Sequence, residues 1–172
     1  MPQNLEVKAR VKSISFAQAL TRSIHATFIE CLNQVDTYFC VEHGRLKLRE
    51  TNQQRCELIY YDRPETTNHR LSHFMIYPCQ NASSLKDLLG KALGVRNIVT
   101  KTRLLYMYDV TRIHLDDVQY LGSFLEFETP YEGSHEKARN VTDFLLARFE
   151  VQEADFIKSS YVDLMSRKNP GA

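Results

Sequence analysis

Charged and apolar residues alternate strictly along Leu5-Glu6-Val7-Lys8-Ala9-Arg10-Val11, which constrains the chain to a strand with two chemically opposite faces. Leu5, Val7, Ala9 and Val11 share one face, and Glu6, Lys8 and Arg10 share the other. The pattern recurs over 36–41 and again over 45–50, where Leu46 and Leu48 oppose Arg45, Lys47 and Arg49; Glu42-His43-Gly44 joins the two as a hairpin. Further strands are predicted over 55–61, 70–77, 101–108, 111–117 and 122–128. That makes about eight, the number that closes a small barrel with a narrow interior and leaves no exposed edge.

Helical stretches lie between and after these strands. Ser13 or Ser15 can cap a helix whose Phe16, Leu20, Ile24 and Phe28 fall at i+4 spacing, and Ser83 or Ser84 opens a short helix that stops at Gly94. Ser134 precedes a segment carrying Val141, Leu145 and Phe149, and a final helix sets Ala154, Ile157, Tyr161, Leu164 and Met165 on one side. If these apolar stripes cover the apolar strand faces from outside, the charged faces must point inward. The predicted fold is therefore α+β: a closed eight-stranded antiparallel β-barrel with helices packed outside and a charge-lined interior. One domain over 1–166 and a short tail over 167–172 account for the chain.

The inward face collects Lys8, Arg10, Arg45, Lys47, Arg49, Arg70, Lys101, Arg103 and Arg112, a bias toward arginine that solubility alone does not require. The planar guanidinium fork matches phosphate oxygens. Glu6, Asp116, Glu126 and Glu128 lie on the same faces and are hard oxygen donors suited to Mg2+ or Mn2+. Both signs in one wet cavity fit a metal–polyphosphate complex, because buried cations without an anion are costly. His114 shares a face with Arg112 and Asp116 and is read as a hydrogen-bonded neighbour of the aspartate. With no tryptophan in the chain, Tyr38, Tyr60 or Tyr61 would have to stack on any organic part of a ligand.

The run Asn4-Leu5-Glu6-Val7-Lys8-Ala9-Arg10 resembles the amino-terminal ExExK strand of the CYTH, or triphosphate tunnel metalloenzyme, family, and within it the class IV adenylyl cyclase-like proteins. Gln34-Val35-Asp36-Thr37-Tyr38-Phe39, Leu46-Lys47-Leu48-Arg49, Lys101-Thr102-Arg103, Ile113-His114-Leu115-Asp116-Asp117-Val118 and Leu121-Gly122-Ser123-Phe124-Leu125-Glu126-Phe127-Glu128 extend the resemblance over nearly the whole chain, in the expected order. It implies a tunnel that binds a triphosphate with divalent cations. Family members make cyclic AMP from ATP, or hydrolyse thiamine triphosphate or inorganic tripolyphosphate. By position, Lys8, Arg10, Lys47, Arg49, Arg70, Lys101, Arg103 and Arg112 would bind substrate. Glu6, Asp116, Glu126 and Glu128 would hold Mg2+ or Mn2+, and Glu6, Lys8 and Asp116 would be catalytic. Three positions depart from the pattern: Asn4 stands for the first glutamate, Tyr61 for a lysine that Arg63 could replace, and Ser72 for an acid. A triphosphate enzyme and a catalytically impaired triphosphate or nucleotide sensor both remain open.

Other classes are disfavoured. No apolar run is long enough to span a bilayer, and the first residues lack signal-peptide character, so a cytoplasmic protein is expected. Cys31, Cys40, Cys56 and Cys79 have neither zinc-ligand spacing nor an oxidising compartment to pair in. No basic stripe interleaved with aromatics marks a nucleic-acid surface. The expected partner is a small triphosphate, bound by a monomer or homodimer.

Overall fold

The alternating segments form strands in a computed structural model that describes residues 3–62, 70–130 and 135–168. They are β1 (Gln3–Arg10), β2 (Thr27–Phe39), β3 (Arg45–Thr51), β4 (Arg55–Asp62), β5 (Arg70–Cys79), β6 (Val95–Tyr108), β7 (Thr111–Val118) and β8 (Gly122–Pro130). The strands close in the order β1-β5-β4-β3-β2-β6-β7-β8, every neighbouring pair antiparallel. β2 and β6 are far longer than alternation predicts. The stretches 27–35 and 95–100 carry little charge contrast between faces, yet they pair along most of their length. At the β2–β3 turn Gly44 adopts φ +62°, and a Cβ there would lie 2.6 Å from the Tyr60 hydroxyl, so Tyr60 points at this turn.

The helices follow their caps. In α1 (Ile14–Ser23) the Ser13 hydroxyl accepts from the Phe16 N–H at 3.1 Å. The helix stops before Phe28, because His25 turns into the left-handed region at φ 57°; Phe28 then lies in β2, edge-on to Tyr106 at 5.2 Å. In α2 (Ala82–Leu93) the cap is Asn81 rather than either predicted serine: its side-chain oxygen reaches the Ser84 N–H at 3.0 Å. α3 (His135–Arg148) begins where predicted, though Ser134 itself lies outside the described residues. Among the described residues no helix is long and apolar enough to cross a membrane.

The single final helix is interrupted. A 3-10 turn at Glu153–Asp155 gives way to extended chain, with Phe156 bridging Ala9 and the Ile157 N–H donating to the Lys8 carbonyl at 2.9 Å. Helix α4 (Tyr161–Lys168) then starts at Ser160, whose backbone N–H donates to the Asp163 carboxylate while its hydroxyl accepts from the Asp163 N–H. Arg167 and Lys168 close α4, and 169–172 lie outside the described residues.

Two apolar clusters result. Outside the wall, Val7, Ile113, Leu115, Leu125 and Phe127 pack under Ala17 of α1, Leu145 and Leu146 of α3 and Phe149 just after it. At one end of the barrel, Tyr38, Ile59, Tyr61, Val99, Val118 and Phe124 pack against Tyr161, Val162 and Met165 of α4. Arg45 and Arg96 each bond the Asp163 carboxylate at 2.8 Å, fastening α4 across that end. Cys56 and Cys79 meet across β4 and β5 as free thiols, a juxtaposition that spacing alone does not reveal. Phe127 is fully buried with its ring 5.3 Å from Phe149, so Phe127→Ala should cost about 3–5 kcal/mol in equilibrium denaturation. A loss below about 1 kcal/mol would show that the outer cluster does not hold α3 to the wall.

Candidate functional site

Period two sends alternate side chains into the barrel, and the strand register decides which of them meet. Asp36 stands opposite Arg49, Tyr38 opposite Lys47, Gln34 opposite Lys101, Arg103 opposite Asp116, Lys8 and His114 opposite Glu126, and Glu6 and Arg112 opposite Glu128. These groups surround a cavity of about 450 Å³, lined by Glu6, Lys8, Lys47, Arg49, Lys101, Arg103, Arg112, His114, Glu126 and Glu128 among others.

One wall is cationic. Asp36, almost fully buried, accepts from Arg49 Nε and Nη2 at 2.7 Å each and from Lys47 Nζ at 2.9 Å, with Lys101 Nζ at 3.8 Å. Burial would raise its pKa, but Arg49, Lys47 and Lys101 together hold it well below the usual carboxylate range. Lys101 also lies 3.7 Å from Asp116, which is itself engaged by Arg103, and the lysines feel the shortfall of negative charge. Burial, followed by repulsion from Arg49, lowers Lys47 to about 7; burial, followed by Arg103, lowers Lys101 to about 8. Aromatic faces support these amines: Lys8 lies 3.8 Å above the Tyr161 ring, and Lys47 is 5.5 Å from both Tyr38 and Tyr61. Tyr38 and Tyr61 therefore present ring faces to an ammonium rather than standing free to stack on a ligand.

The other wall mixes signs. Arg103 forms a fork with Asp116 at 2.6 Å to each oxygen and reaches Glu126 at 3.0 Å; Tyr161 donates to Asp116 at 2.9 Å. Burial would raise the Glu126 carboxyl, yet Lys8 at 3.4 Å, with the other groups around it, keeps it well below its ordinary range. Arg112 Nε donates to Glu128 at 3.0 Å, and the Asn4 side-chain oxygen, in the orientation that satisfies its neighbours, accepts from Arg112 Nη2 at 3.0 Å. Among the described residues the buried His114 Nδ1 has no hydrogen-bond partner; it lies 3.7 Å from Glu126 Oε2 and 3.6 Å from Glu128 Oε1. Burial, and Arg103 after it, lower the His114 pKa, which favours the neutral ring. Donor atoms of His114, Glu126 and Glu128 all lie within 4.8 Å of one another, and Glu6 lines the same cavity, so this donor set fits a divalent ion.

The structure thus brings together Glu6, Lys8, Lys47, Arg49, Lys101, Arg103, Arg112, Glu126 and Glu128. Asp116, expected among the metal ligands, is fully buried behind the cavity surface with its oxygens engaged by Arg103 and Tyr161. Arg10 does not line the cavity: it is exposed, donates to the Leu121 carbonyl at 3.0 Å and lies over the Phe124 ring. Arg70 opens β5 with its backbone opposite Glu6, its side chain lying outside the described residues, as does Arg63. Ser72 is buried in the cavity wall. Asp36 and Tyr161 were not among the expected site residues. Asp36 carried a signal, its alternation with Gln34 and Tyr38, whereas Tyr161 sat on an apolar helical stripe and carried none.

Removing one partner of a buried ion pair costs roughly 3–5 kcal/mol. Asp36→Asn should therefore lower stability by about that much in dilute buffer, and an added inorganic polyanion should restore part of it in a thermal melt. An unchanged melt would show that Asp36 does not neutralise this wall.

The sequence profile described as the CYTH domain matches residues 2–161. No curated protein sequence matches the chain. Among solved structures, the PH1012 protein of Pyrococcus horikoshii is similar with TM-score 0.85 and 21% identity, covering 94% of this chain and 98% of that one. A candidate adenylate cyclase from Vibrio parahaemolyticus gives TM-score 0.75 and 20% identity over 95% of this chain and 97% of that one. HpAC1 from Hippeastrum, a candidate adenylyl cyclase described as having a dominant triphosphatase activity, gives 0.66 and 13% over 100% and 97%. At these identities the likeness shows the fold.

Proposed function

Because the chain belongs to the CYTH domain family, we propose that it hydrolyses a small triphosphate in the barrel lumen with the help of a divalent ion. The observation that carries this reading is the cationic wall: Lys47 and Arg49 share the buried carboxylate of Asp36, Lys101 lies between Asp36 and Asp116, and the three face a cavity whose other wall holds a donor set that fits a cation. A polyanion supplies the missing counter-charge, and an ion at Glu126 and Glu128 completes it. The triphosphatase activity stated for the Hippeastrum protein agrees with this reading.

The chain's own residues act by position and charge. Asp36 and Asp116 lock Arg49 and Arg103 in forked geometry before any ligand arrives, so little ordering cost remains on binding. Arg49 spends Nε and Nη2 on Asp36 and keeps Nη1 for a phosphate oxygen. Lys8 and Arg112, each beside a glutamate, stabilise charge that builds on the departing phosphate. Helix α4 closes one end, and Tyr161 beneath Lys8 and Lys101 keeps that end apolar. Glu126 and Glu128, with Glu6, would hold Mg2+ or Mn2+, which supplies Lewis-acid neutralisation of phosphate oxygens when bound. Asp116 acts in this scheme through Arg103. The cations lie inside the barrel, which suits a small triphosphate and disfavours nucleic acid.

Incubation with Mg2+ or Mn2+ and, separately, tripolyphosphate, ATP and thiamine triphosphate tests this directly. Orthophosphate release is expected. Cyclic AMP with pyrophosphate would replace hydrolysis by cyclisation, and tight binding without product would favour a sensor in which Asn4, bonded to Arg112, has removed a needed carboxylate. Glu126→Gln combined with Glu128→Gln should lower turnover by about 100-fold or more with the fold retained.

The lysines add a pH signature. A bound polyanion favours the ammonium forms and raises both pKa values from about 7 and about 8, so binding at pH 8 takes up protons and affinity falls as pH rises beyond that. Calorimetry in buffers of different ionisation enthalpy measures the uptake, and a value of zero at pH 8 would remove Lys47 and Lys101 from the binding wall.

A further inference from the structure

We propose that His114 is a nitrogen ligand of the lumen ion and biases the site toward Mn2+ and against Mg2+. This rests on the preceding reading that the lumen holds a divalent ion, and goes beyond it in naming a specificity-determining side chain.

Three observations converge. First, His114 is 4% exposed and its Nδ1 has no hydrogen-bond partner among the described residues, an arrangement that native interiors rarely leave unresolved. The obvious neighbour is occupied: Asp116 accepts from Arg103 and Tyr161. Second, the orphan nitrogen faces Glu126 Oε2 at 3.7 Å and Glu128 Oε1 at 3.6 Å, too far for hydrogen bonds. Two donors each about 2.1 Å from one ion stand roughly 3.0 Å apart at a right angle and roughly 3.6 Å apart at 120°. The observed spacing is wider than the right-angle value by roughly 0.6 Å, so a small inward shift of these side chains would close them around a cation. Third, β7 is paired on both sides, and the register sets His114 directly opposite Glu126 of β8, on the face that lines the cavity.

The donor chemistry sets the preference. Mg2+ favours all-oxygen surroundings and retains its waters, whereas Mn2+, the weakest nitrogen binder of the first-row ions, still accepts an imidazole among carboxylate oxygens more readily than Mg2+. Asn4 strengthens the bias, since its amide is bonded to Arg112 and adds no anionic oxygen to the cluster. An imidazole beside these carboxylates adds a nitrogen donor that a first-row transition ion accepts more readily than Mg2+ does.

Pulsed EPR of Mn2+ bound to the intact chain reads this without reference to activity. The wild type should show modulation from one directly coordinated 14N, and the exposed-site control His43→Gln should keep it. His114→Gln should lose the modulation while Mn2+ stays bound through Glu126 and Glu128, and its preference for Mn2+ over Mg2+, measured by competition, should drop about tenfold. Mn2+ bound to wild type without 14N coupling overturns the His114 assignment and leaves the metal reading standing, as does an unchanged ion preference in His114→Gln. Failure of the wild type to bind either ion overturns both.

Discussion

Everything in this barrel depends on carboxylates buried beside cations in cross-strand register. Asp36 under Lys47 and Arg49, and Asp116 under Arg103, are nearly inaccessible, and isolated ions at such depth would not be tolerated. The pairing is direct because the partners face each other across adjacent strands, so the backbone ladder sets both fold and electrostatics. A one-residue slip of β3 against β2 would send Lys47 and Arg49 outside and bring Leu46 and Leu48 in. The charge pattern therefore specifies the register that the apolar outer cluster also demands.

The pairing is also incomplete, and the incompleteness gives the lumen its character. Asp36 and Asp116 between them face Lys47, Arg49, Lys101 and Arg103, while Glu126 and Glu128 converge with His114 on the other side. A ligand with negative oxygens and a positive ion satisfies both walls at once. Helix α4 makes this possible by sealing one end with Tyr161, Val162 and Met165, which lowers the local dielectric without crossing the charged zone.

Much of this could be read from residue order. The strands of β1, β3, β7 and β8 show because each alternates charged and apolar side chains, and the inward residues Lys8, Lys47, Arg49, Lys101, Arg103, Arg112, Glu126 and Glu128 share a face by period alone. What period two cannot give is depth along the lumen. Arg10 shares the face of Lys8 but lies at the end of its strand, at the surface, and Asp116 sits one pair beyond His114, where Arg103 and Tyr161 enclose it. The early starts of β2 and β6 escaped because their outer halves face solvent on one side and lack contrast on the other. The break before α4 was hidden too, because its apolar spacing suits a helix and only the backbone bonds of Phe156 and Ile157 to β1 forbid it.

The central claim is that the lumen, rather than any outer surface, receives a polyanion and a cation together. A crystal structure of the chain grown with a non-hydrolysable imidotriphosphate and Mn2+ tests it most directly, because manganese is located by its anomalous signal. The account predicts the ion beside Glu126 and Glu128, with the phosphate chain spanning from it toward Arg49 and Lys47. Ligand and ion on the barrel's exterior, with the lumen holding water alone, would contradict it.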